Sequence, residues 1–308
     1  MKKNYTLLFL VFSFCCMAQQ EPLWNLYAHH ANLYNPASVG VNGNVAALGT
    51  HYQGIRVSNA PITRAFSLAT SQESKRTGLG FSVVDDQSIA TRLTQVYADF
   101  SYKLPLANDQ ILYLGIKGGG SFSKIKAAGL RTLDLGQDPA LVNSSGFTPN
   151  IGAGFYFKHP RYHIQASIPR LVSFRDQQSL DFQLYEGQPT LYLNAGTHFD
   201  LPGEWRLLPR FLLLSYSNAP TEYLVDTAFS FKERFEVGLQ WGRQNSLGAT
   251  AKLSIAKNIE LAYAYGTFSS SETNVLQQAT HELLIKFRFN IKPPEDYSTP
   301  ELSPPNIN

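Results

Sequence analysis

The feature that most constrains this chain is an apolar residue at every second position near its C-terminal end. In residues 279–290, ATHELLIKFRFN, the apolar positions are Leu283, Ile285, Phe287 and Phe289. Four of the five residues flanking these positions are polar or charged. A repeat of two is that of a β-strand, which separates such a pattern into one apolar and one polar face. A soluble sandwich core and a lipid bilayer would both accept the apolar face, so other features must decide between them.

The same alternation recurs along most of the chain and predicts about fourteen strands. It is weakest at 43–53, 205–216 and 246–256. Arg64 lies on the apolar side of its strand, and Arg210 leaves open which face of its strand points outward. The predicted strands are 43–53, 61–70, 77–86, 92–104, 110–121, 149–158, 161–169, 189–200, 205–216, 221–231, 234–243, 246–256, 258–267 and 280–290.

The surroundings of these strands are predicted to be lipid. No stretch after residue 19 has the roughly 20 apolar residues that a membrane helix needs. Only helices and closed barrels satisfy every backbone N–H and C=O group inside a bilayer. Charged residues make up 16% of the chain, against about 25% in a soluble globular protein. We therefore predict an all-β fold, a transmembrane antiparallel β-barrel of about 14 strands; a soluble extracellular β-sandwich is the competing interpretation.

The lengths of the connections point to the outer membrane. If both termini lie on one side, the connections on that side are all short: SQESKR, LANDQ, KHPR, LPGEW, KER and AKN. The opposite side carries the long stretches 121–148 and 169–189. Outer-membrane barrels have short periplasmic turns and longer external loops. We therefore expect a barrel in the cell outer membrane with both termini in the periplasm.

Residues 1–18 are predicted to be a cleaved signal peptide. Lys2 and Lys3 precede a short apolar run, and Ala18 ends a cleavage-like site. Both cysteines of the chain, Cys15 and Cys16, lie in this segment, so a mature chain beginning at residue 19 has none. This excludes a disulfide scaffold, a thiol enzyme and a cysteine-ligated metal site. A lipoprotein signal using one of these cysteines is the less favoured alternative.

Two further segments flank the barrel, which we place at residues 43–290. Residues 19–42 are rich in Asn, Tyr and His, and would plug the lumen, line its periplasmic mouth or dock a partner. Residues 291–308 are rich in proline, which cannot continue a sheet ladder, and are expected to form a periplasmic tail.

The sequence contains no catalytic constellation that we would support. It has neither a G-x-S-x-G nor an H-E-x-x-H motif, and the adjacent His29 and His30 would point to different sides of any regular element. Asp85 and Asp86 are interpreted as turn residues at a hairpin tip. The glycines of 115–120, GIKGGG, are interpreted as bends or as close approaches to a plug. We predict no enzyme activity, no cofactor and no metal, and the absence of a basic block gives no indication of nucleic-acid binding.

Several short motifs carry a resemblance to a known family. They are LYNPASVG at 33–40, GIRVSNAPIT at 54–63, GLGFSVVDDQSIA at 78–90, ADFSYKLPL at 98–106, ASIPRLV at 166–172, LPRFLL at 208–213, IELAYAYG at 259–266 and ATHELLIKF at 279–287. In their order and spacing the chain resembles the PorP/SprF family, outer-membrane proteins of the type IX secretion system and its gliding machinery. The residues that match the family motifs are Asn35, Pro36, Ala37, Gly40, Ala60, Pro61, Gly78, Gly80, Asp85, Tyr102, Pro169, His281 and Glu282.

The resemblance implies an accessory, non-enzymatic role in protein secretion. Such a protein would support the export or surface anchoring of a cognate secreted protein or adhesin, and would contact periplasmic components of the secretion system and outer-membrane lipid. The long loops 121–148 and 169–189 would meet the cargo, and the short turns, residues 19–42 and the tail would meet periplasmic partners. The alternative is a porin-like channel for small solutes, since a barrel of this size has room inside unless it is plugged.

Overall fold

The computed structural model describes residues 24–54, 60–72, 75–88, 91–125, 144–173, 189–217, 220–243, 246–268 and 278–289. The predicted signal peptide, the proline-rich tail and most of the two long loops lie outside these residues. Within them, three single-turn 3₁₀ helices, Tyr27–His29, Ala31–Leu33 and Pro36–Ser38, precede a series of strands. None of the helices in the described ranges is long and apolar enough to cross a membrane.

The described residues form fifteen strands, most of them joined by short connections. They are β1 (Val45–Gly54), β2 (Ile62–Gln72), β3 (Thr77–Gln87), β4 (Thr91–Pro105), β5 (Ile111–Ile125), β6 (Ser144–Lys158), β7 (Tyr162–Ser173), β8 (Thr190–Thr197), β9 (Phe199–Leu201), β10 (Trp205–Tyr216), β11 (Glu222–Phe231), β12 (Phe235–Gly242), β13 (Leu247–Ala256), β14 (Ile259–Phe268) and β15 (Gln278–Arg288).

The strands form one antiparallel sheet that closes on itself. Neighbours in sequence pair all the way round, and β15 returns to pair with β1 from Val45 opposite Arg288 to Gly54 opposite Ala279. Strands β8 and β9 both pair with β10 and are separated only by His198, so together they form one interrupted strand. The prediction of a 14-stranded antiparallel barrel is confirmed.

Side chains alternate between the interior and the outside as the sequence pattern predicts. On β15 the apolar Leu283, Ile285 and Phe287 are 41%, 44% and 44% exposed, whereas Glu282 and Leu284, on the opposite face of the strand, are each 1% exposed. Equivalent exposed Phe, Leu, Ile, Tyr and Trp side chains occur on the other strands of the barrel. An apolar belt of this extent facing water would be far larger than the patches found on soluble monomers. The belt is the surface that faces the acyl chains of the outer membrane.

The three strands with the weakest pattern all form, as β1, β10 and β13. Strands β5 and β6 are longer than predicted, because they extend to Ile125 and back to Ser144 in the stretch expected to be a loop. Arg64 does lie on the outward face of β2, directly opposite Asp85 of β3. Arg210 settles the orientation of β10, since its side chain points inward and binds the carboxylates of Asp226 and Glu236.

The interpretation of Asp85 and Asp86 as turn residues at a hairpin tip is wrong. Both lie within β3, which continues to Gln87. The Asp85 carboxylate accepts hydrogen bonds from Arg92 Nε at 2.8 Å and Thr94 Oγ1 at 2.8 Å, both on the neighbouring β4. Asp86 accepts a hydrogen bond from Thr63 Oγ1 at 2.7 Å. Cross-strand polar pairing, not turn chemistry, therefore accounts for these two carboxylates.

The connections are sorted by length between the two ends of the barrel. Six connections of two to five residues lie at one end, which we call the short-turn rim; the other end, the loop rim, carries connections of up to 18 residues. A 3-residue connection between β3 and β4 is the shortest on the loop rim. Among the described residues, those other than glycine that have positive φ all lie in turns of the short-turn rim: Arg76, Asn108, Asp109, Glu204, Lys232 and Glu233.

Candidate functional site: the filled interior of the barrel

Residues 24–42, which we call the inner segment, lie inside the barrel and contact strands on opposite sides of it. Gln240 Nε2 of β12 donates a hydrogen bond to the carbonyl oxygen of Asn25 at 2.8 Å. Ser101 Oγ of β4 donates to the carbonyl oxygen of Val39 at 2.6 Å. Because both ends of the segment are bound to the wall, it crosses the lumen instead of hanging from one side.

One carboxylate of the wall binds two backbone N–H groups at the beginning of the inner segment. Glu282 Oε1 accepts a hydrogen bond from the backbone N–H of Asn25 at 2.7 Å, and Oε2 accepts one from the N–H of Leu26 at 2.9 Å. The same Oε1 lies 2.9 Å from Nδ1 of His51 on β1. Hydrogen bonds to a charged acceptor are stronger than those between neutral groups, and the Glu282 carboxylate is buried. Glu282, a family-motif residue, thus anchors the inner segment.

The Asn-Pro-Ala motif organises the middle of the inner segment. Asn35 Oδ1 accepts a hydrogen bond from the N–H of Ala37 at 2.9 Å, which caps the short helix that begins at Pro36. Its Nδ2 donates to the carbonyl oxygen of Phe155 at 2.9 Å and to Oε1 of Gln165 at 3.0 Å. A side chain with both donor and acceptor groups is needed to make all three bonds. This explains the choice of Asn before Pro at this position.

Glycines of the wall allow the inner segment to approach the strands closely. A Cβ atom added to Gly115 of β5 would lie 2.2 Å from the backbone N of Ala37. One added to Gly78 of β3 would lie 2.6 Å from the carbonyl oxygen of Val39. No side chain fits at either distance, so only glycine permits this packing. From the sequence, the glycines of 115–120 are interpreted as bends or as sites of close approach to a plug. Gly115 is a site of close approach. Gly118 is not, because a Cβ atom added there would have nothing within 4 Å.

Apolar residues of the inner segment fill two small cores inside the barrel. Leu26 packs with small or apolar wall residues, which are Ala47, Ala262, Ala264 and Leu284. Tyr27 packs with a second group, which consists of Tyr192, Leu212, Leu214 and Leu224. Inward apolar side chains on a barrel wall would be unsuited to a water-filled channel, but they are satisfied by an apolar segment crossing it.

Charged residues of the wall are paired with one another. Lys117 Nζ lies 2.8 Å from Oδ1 of Asp99, with side chains only 1% and 0% exposed, on directly paired positions of β5 and β4. Arg210 binds Asp226 at 2.7 Å and Glu236 at 2.8 Å. Pairing of this kind offsets the cost of burying charge. It also means that the interior is crossed by ion pairs and not lined by free charges of one sign.

The two adjacent histidines both belong to the inner segment. Nε2 of His30 lies 2.7 Å from Oγ of Ser67, and Nε2 of His29 lies 3.4 Å from Oε1 of Glu236. Burial lowers the pKa of His30 to about 3, and the positive charge of Lys286 acts in the same direction. Burial also lowers the pKa of His29 to about 4, although Glu236 opposes this change. Both rings are therefore neutral near pH 7, and the inner segment, which contains no Asp, Glu, Lys or Arg, is uncharged.

The family-motif residues fall into two groups. Those that meet inside the barrel are Asn35, Pro36, Ala37, Gly40, Gly78, Gly80 and Glu282. The others are dispersed: Tyr102 is exposed on the outward face of β4, and His281 faces outward, with its Nδ1 2.8 Å from the hydroxyl of Tyr263. Pro169 lies at an irregularity between β6 and β7, where a Cβ on Gly152 would be 2.2 Å from its carbonyl oxygen.

The remaining family-motif residues lie at the loop rim. Pro61 accepts a hydrogen bond at its carbonyl oxygen from the N–H of Gln53 at 3.1 Å, and Ala60 precedes it just before β2. Asp85 makes the cross-strand bonds described above. Sequence reasoning missed the pairing of Lys117 with Asp99, because nothing in the spacing of these residues fixes the register between their strands. Among the residues with described positions, no group of three or more His, Cys, Asp or Glu side chains is arranged to hold a metal ion.

The closed sheet, its outward apolar belt and its sorted connections define the class of this protein as an outer-membrane β-barrel. Among solved structures it is similar to the P. putida toluene transporter TodX, with a TM-score of 0.53 and 9% identity over 85% of this chain and 94% of that chain. It is also similar to the CymD monoaromatic hydrocarbon channel, with a TM-score of 0.52 and 8% identity over 83% of this chain and 91% of that chain. At such low identity the likeness shows a shared fold alone.

Family membership comes from the sequence. Residues 16–287 match the family described as Type IX secretion system membrane protein PorP/SprF. The chain belongs to this family, and the protein is located in the outer membrane. A search of curated proteins gave no match.

Proposed function

We propose that this protein is a non-enzymatic outer-membrane component of the type IX secretion system that supports the export or surface anchoring of one cognate secreted protein or adhesin. Membership of the PorP/SprF family over residues 16–287 supports a role in that secretion system. The observation that carries the rest of the proposal is the inner segment, which occupies the lumen of the barrel and is bound on opposite sides of the wall.

An occupied lumen favours an anchor over a channel. Glu282 and Gln240 bind the beginning of the inner segment, and Gly78 and Gly115 pack against its middle and end. The two interior cores would leave apolar surface in water if the segment were absent. The protein therefore does its work through its surfaces: the loop rim for the secreted cargo and the short-turn rim for periplasmic partners.

The orientation in this proposal follows the usual arrangement of outer-membrane barrels, with the short-turn rim in the periplasm. A signal peptide cleaved after residue 18 would deliver the chain to that side. The inner segment would then enter the barrel from the periplasm during assembly, and the tail, residues 291–308, would remain there.

The test combines a deletion strain with a conductance measurement. The surface proteins of the wild-type strain and of a strain lacking this protein are compared by mass spectrometry after protease shaving. The proposal predicts the loss of one or a few large surface proteins that is restored by the wild-type gene. The purified protein in planar bilayers should be electrically silent. An unchanged cell surface together with steady conductance would favour the porin-like alternative.

A further inference from the structure

A cavity of about 590 Å³ opens at the short-turn rim, beside the turn between β11 and β12 and the turn between β13 and β14. Pockets of 300–1,000 Å³ are typical of ligand sites. Its lining contains three acidic residues and twice as many basic ones: Arg206, Lys232, Arg234, Lys252, Lys257 and Arg288. The cavity shares Glu236 with the inner segment, whose His29 lies 3.4 Å from that carboxylate, but Glu282, Gln240 and Ser101, which bind the segment's backbone, are not part of its lining.

The carboxylates of this cavity are already bound to cations. Glu236 lies 3.0 Å from Lys252 and 2.8 Å from Arg210. Glu260 lies 2.7 Å from Arg288 and also contacts Lys286. None of the positive charge at Arg234 and Lys257 is neutralised by these groups.

Two cations at the edge of the cavity remain unpaired. Within the part of the chain that the structure describes, the side chains of Arg234 and Lys257 have no hydrogen bond or ion pair, and both residues are exposed. They lie in neighbouring turns that face the same cavity. Arg offers a planar fork that matches a carboxylate, and Lys offers a point charge, so together they suit two separate negative groups.

The turn that carries Arg234 is held in place by backbone bonds. The carbonyl oxygen of Arg234 accepts a hydrogen bond from the N–H of Ser254 at 2.7 Å. In the same turn, the N–H of Lys232 donates to the carbonyl oxygen of Glu204 at 3.1 Å. Lys232 and Glu233 have φ of 52° and 57°, in the left-handed region that non-glycine residues rarely adopt. A turn fixed in this way presents its cation without a large ordering cost on binding.

We propose that this cavity binds an acidic peptide segment of a periplasmic partner protein, with one carboxylate on Arg234 and another on Lys257. The location in the periplasm rests on the proposed function. Because Arg234 and Lys257 lie on two separate turns, they favour single negative charges spaced along a peptide over one compact dianion. A lipid headgroup is a poorer match, because the cavity is lined by inward side chains of the barrel such as Glu236 and Lys252.

The test measures binding of a fluorescent 12-residue peptide of alternating Glu and Ser to the purified full-length protein in detergent, by anisotropy. The variant Arg234→Gln/Lys257→Gln should bind at least about tenfold more weakly than wild type. The matched control Arg76→Gln/Arg161→Gln removes two charges from the same rim outside the cavity and should bind like wild type. Equal losses in both variants would reduce the effect to general rim charge and overturn the proposal, as would undiminished binding by the cavity variant.

Two further arms of the experiment distinguish a different occupant of the cavity. If wild type binds no acidic peptide until Glu295, Asp296 and Glu301 of the tail are changed to Gln or Asn, the chain's own tail is the occupant and the partner is excluded. Inorganic phosphate and unlabelled peptide are compared as competitors of the fluorescent peptide at equal concentrations of negative charge. If phosphate displaces the fluorescent peptide as well as the unlabelled peptide does, the cavity is a general anion site and the peptide proposal fails. The deletion strain tests the proposed function independently of peptide binding. Loss of cargo from the deletion strain, with no peptide binding by the purified protein, would refute this inference alone. Peptide binding with an unchanged cell surface would refute the proposed function alone.

Discussion

Replacement of Glu282 by Ala should release the inner segment from the wall while leaving the barrel intact. The change removes both acceptors for the N–H groups of Asn25 and Leu26, at 2.7 and 2.9 Å. Each hydrogen bond to a charged group contributes about 1.5–3 kcal/mol, so the two together hold the segment by about 3–6 kcal/mol. At about 1.4 kcal/mol for each factor of ten, the displaced population should rise by about 10²- to 10⁴-fold.

Planar-bilayer recording measures this displacement directly. Wild type should be silent, Glu282→Ala should show open events, and Glu282→Gln, which keeps one acceptor oxygen, should fall between them. Glu260→Ala is the matched control, because Glu260 is also a buried inward carboxylate but pairs with Lys286 and Arg288. Heat-modifiable migration on gels confirms that each barrel is folded. If Glu282→Ala is as silent as wild type, the anchoring role assigned to this carboxylate is refuted.

Three other perturbations test the interior. Gly115→Val should displace the inner segment and produce open events, because its side chain would overlap Ala37, whereas Gly118→Val, with open space around it, should remain silent. Lys117→Met should lower the free energy of unfolding in urea by about 3–5 kcal/mol, since it leaves the carboxylate of Asp99 buried without a partner, and Lys117→Met/Asp99→Leu should recover most of the loss. Because the pKa values of His30 and His29 are about 3 and about 4 in the folded protein and about 6.5 when the segment is displaced, retention should weaken as pH falls below 6.5, by about 1.4 kcal/mol per pH unit for each ring and about 2.8 kcal/mol per pH unit for both. Protease sensitivity of the inner segment at pH 7.5 and 5 measures this, and the absence of a pH effect in wild type would contradict it.

The barrel itself was predictable from the sequence because each strand carries its own signal. Alternation at Leu283, Ile285 and Phe287 is local, and it predicts an outward face whatever the strand pairs with. The sorting of connections by length is equally visible, since it depends only on where the strands end. The break at His198 was not predicted, because the residues on both sides of it continue the same alternation.

The interior could not be predicted in the same way, because its contacts join residues far apart in the chain. Asn25 and Glu282 are separated by 257 positions, and their meeting depends on barrel closure between β1 and β15. The pairing of Lys117 with Asp99 depends on the register of β4 and β5, which no local pattern fixes. The composition of residues 19–42 allowed a plug, a mouth lining or a docking segment, because the contacts of Asn25 with Gln240 and of Ala37 with Gly115 exist only in the closed barrel.

The central claim is that the protein serves secretion as a closed anchor, and locking the inner segment to the wall tests it most directly. A Cβ added to Gly80 would lie 2.8 Å from Cγ2 of Val39, so cysteines at these two positions are close enough to form a disulfide. The measurement is the amount of cargo at the cell surface in a deletion strain that produces the oxidised Val39→Cys/Gly80→Cys variant, beside each single-cysteine variant. The account predicts cargo levels equal to those of the single variants. Loss of cargo in the locked variant alone would mean that the lumen must open, and would contradict the account.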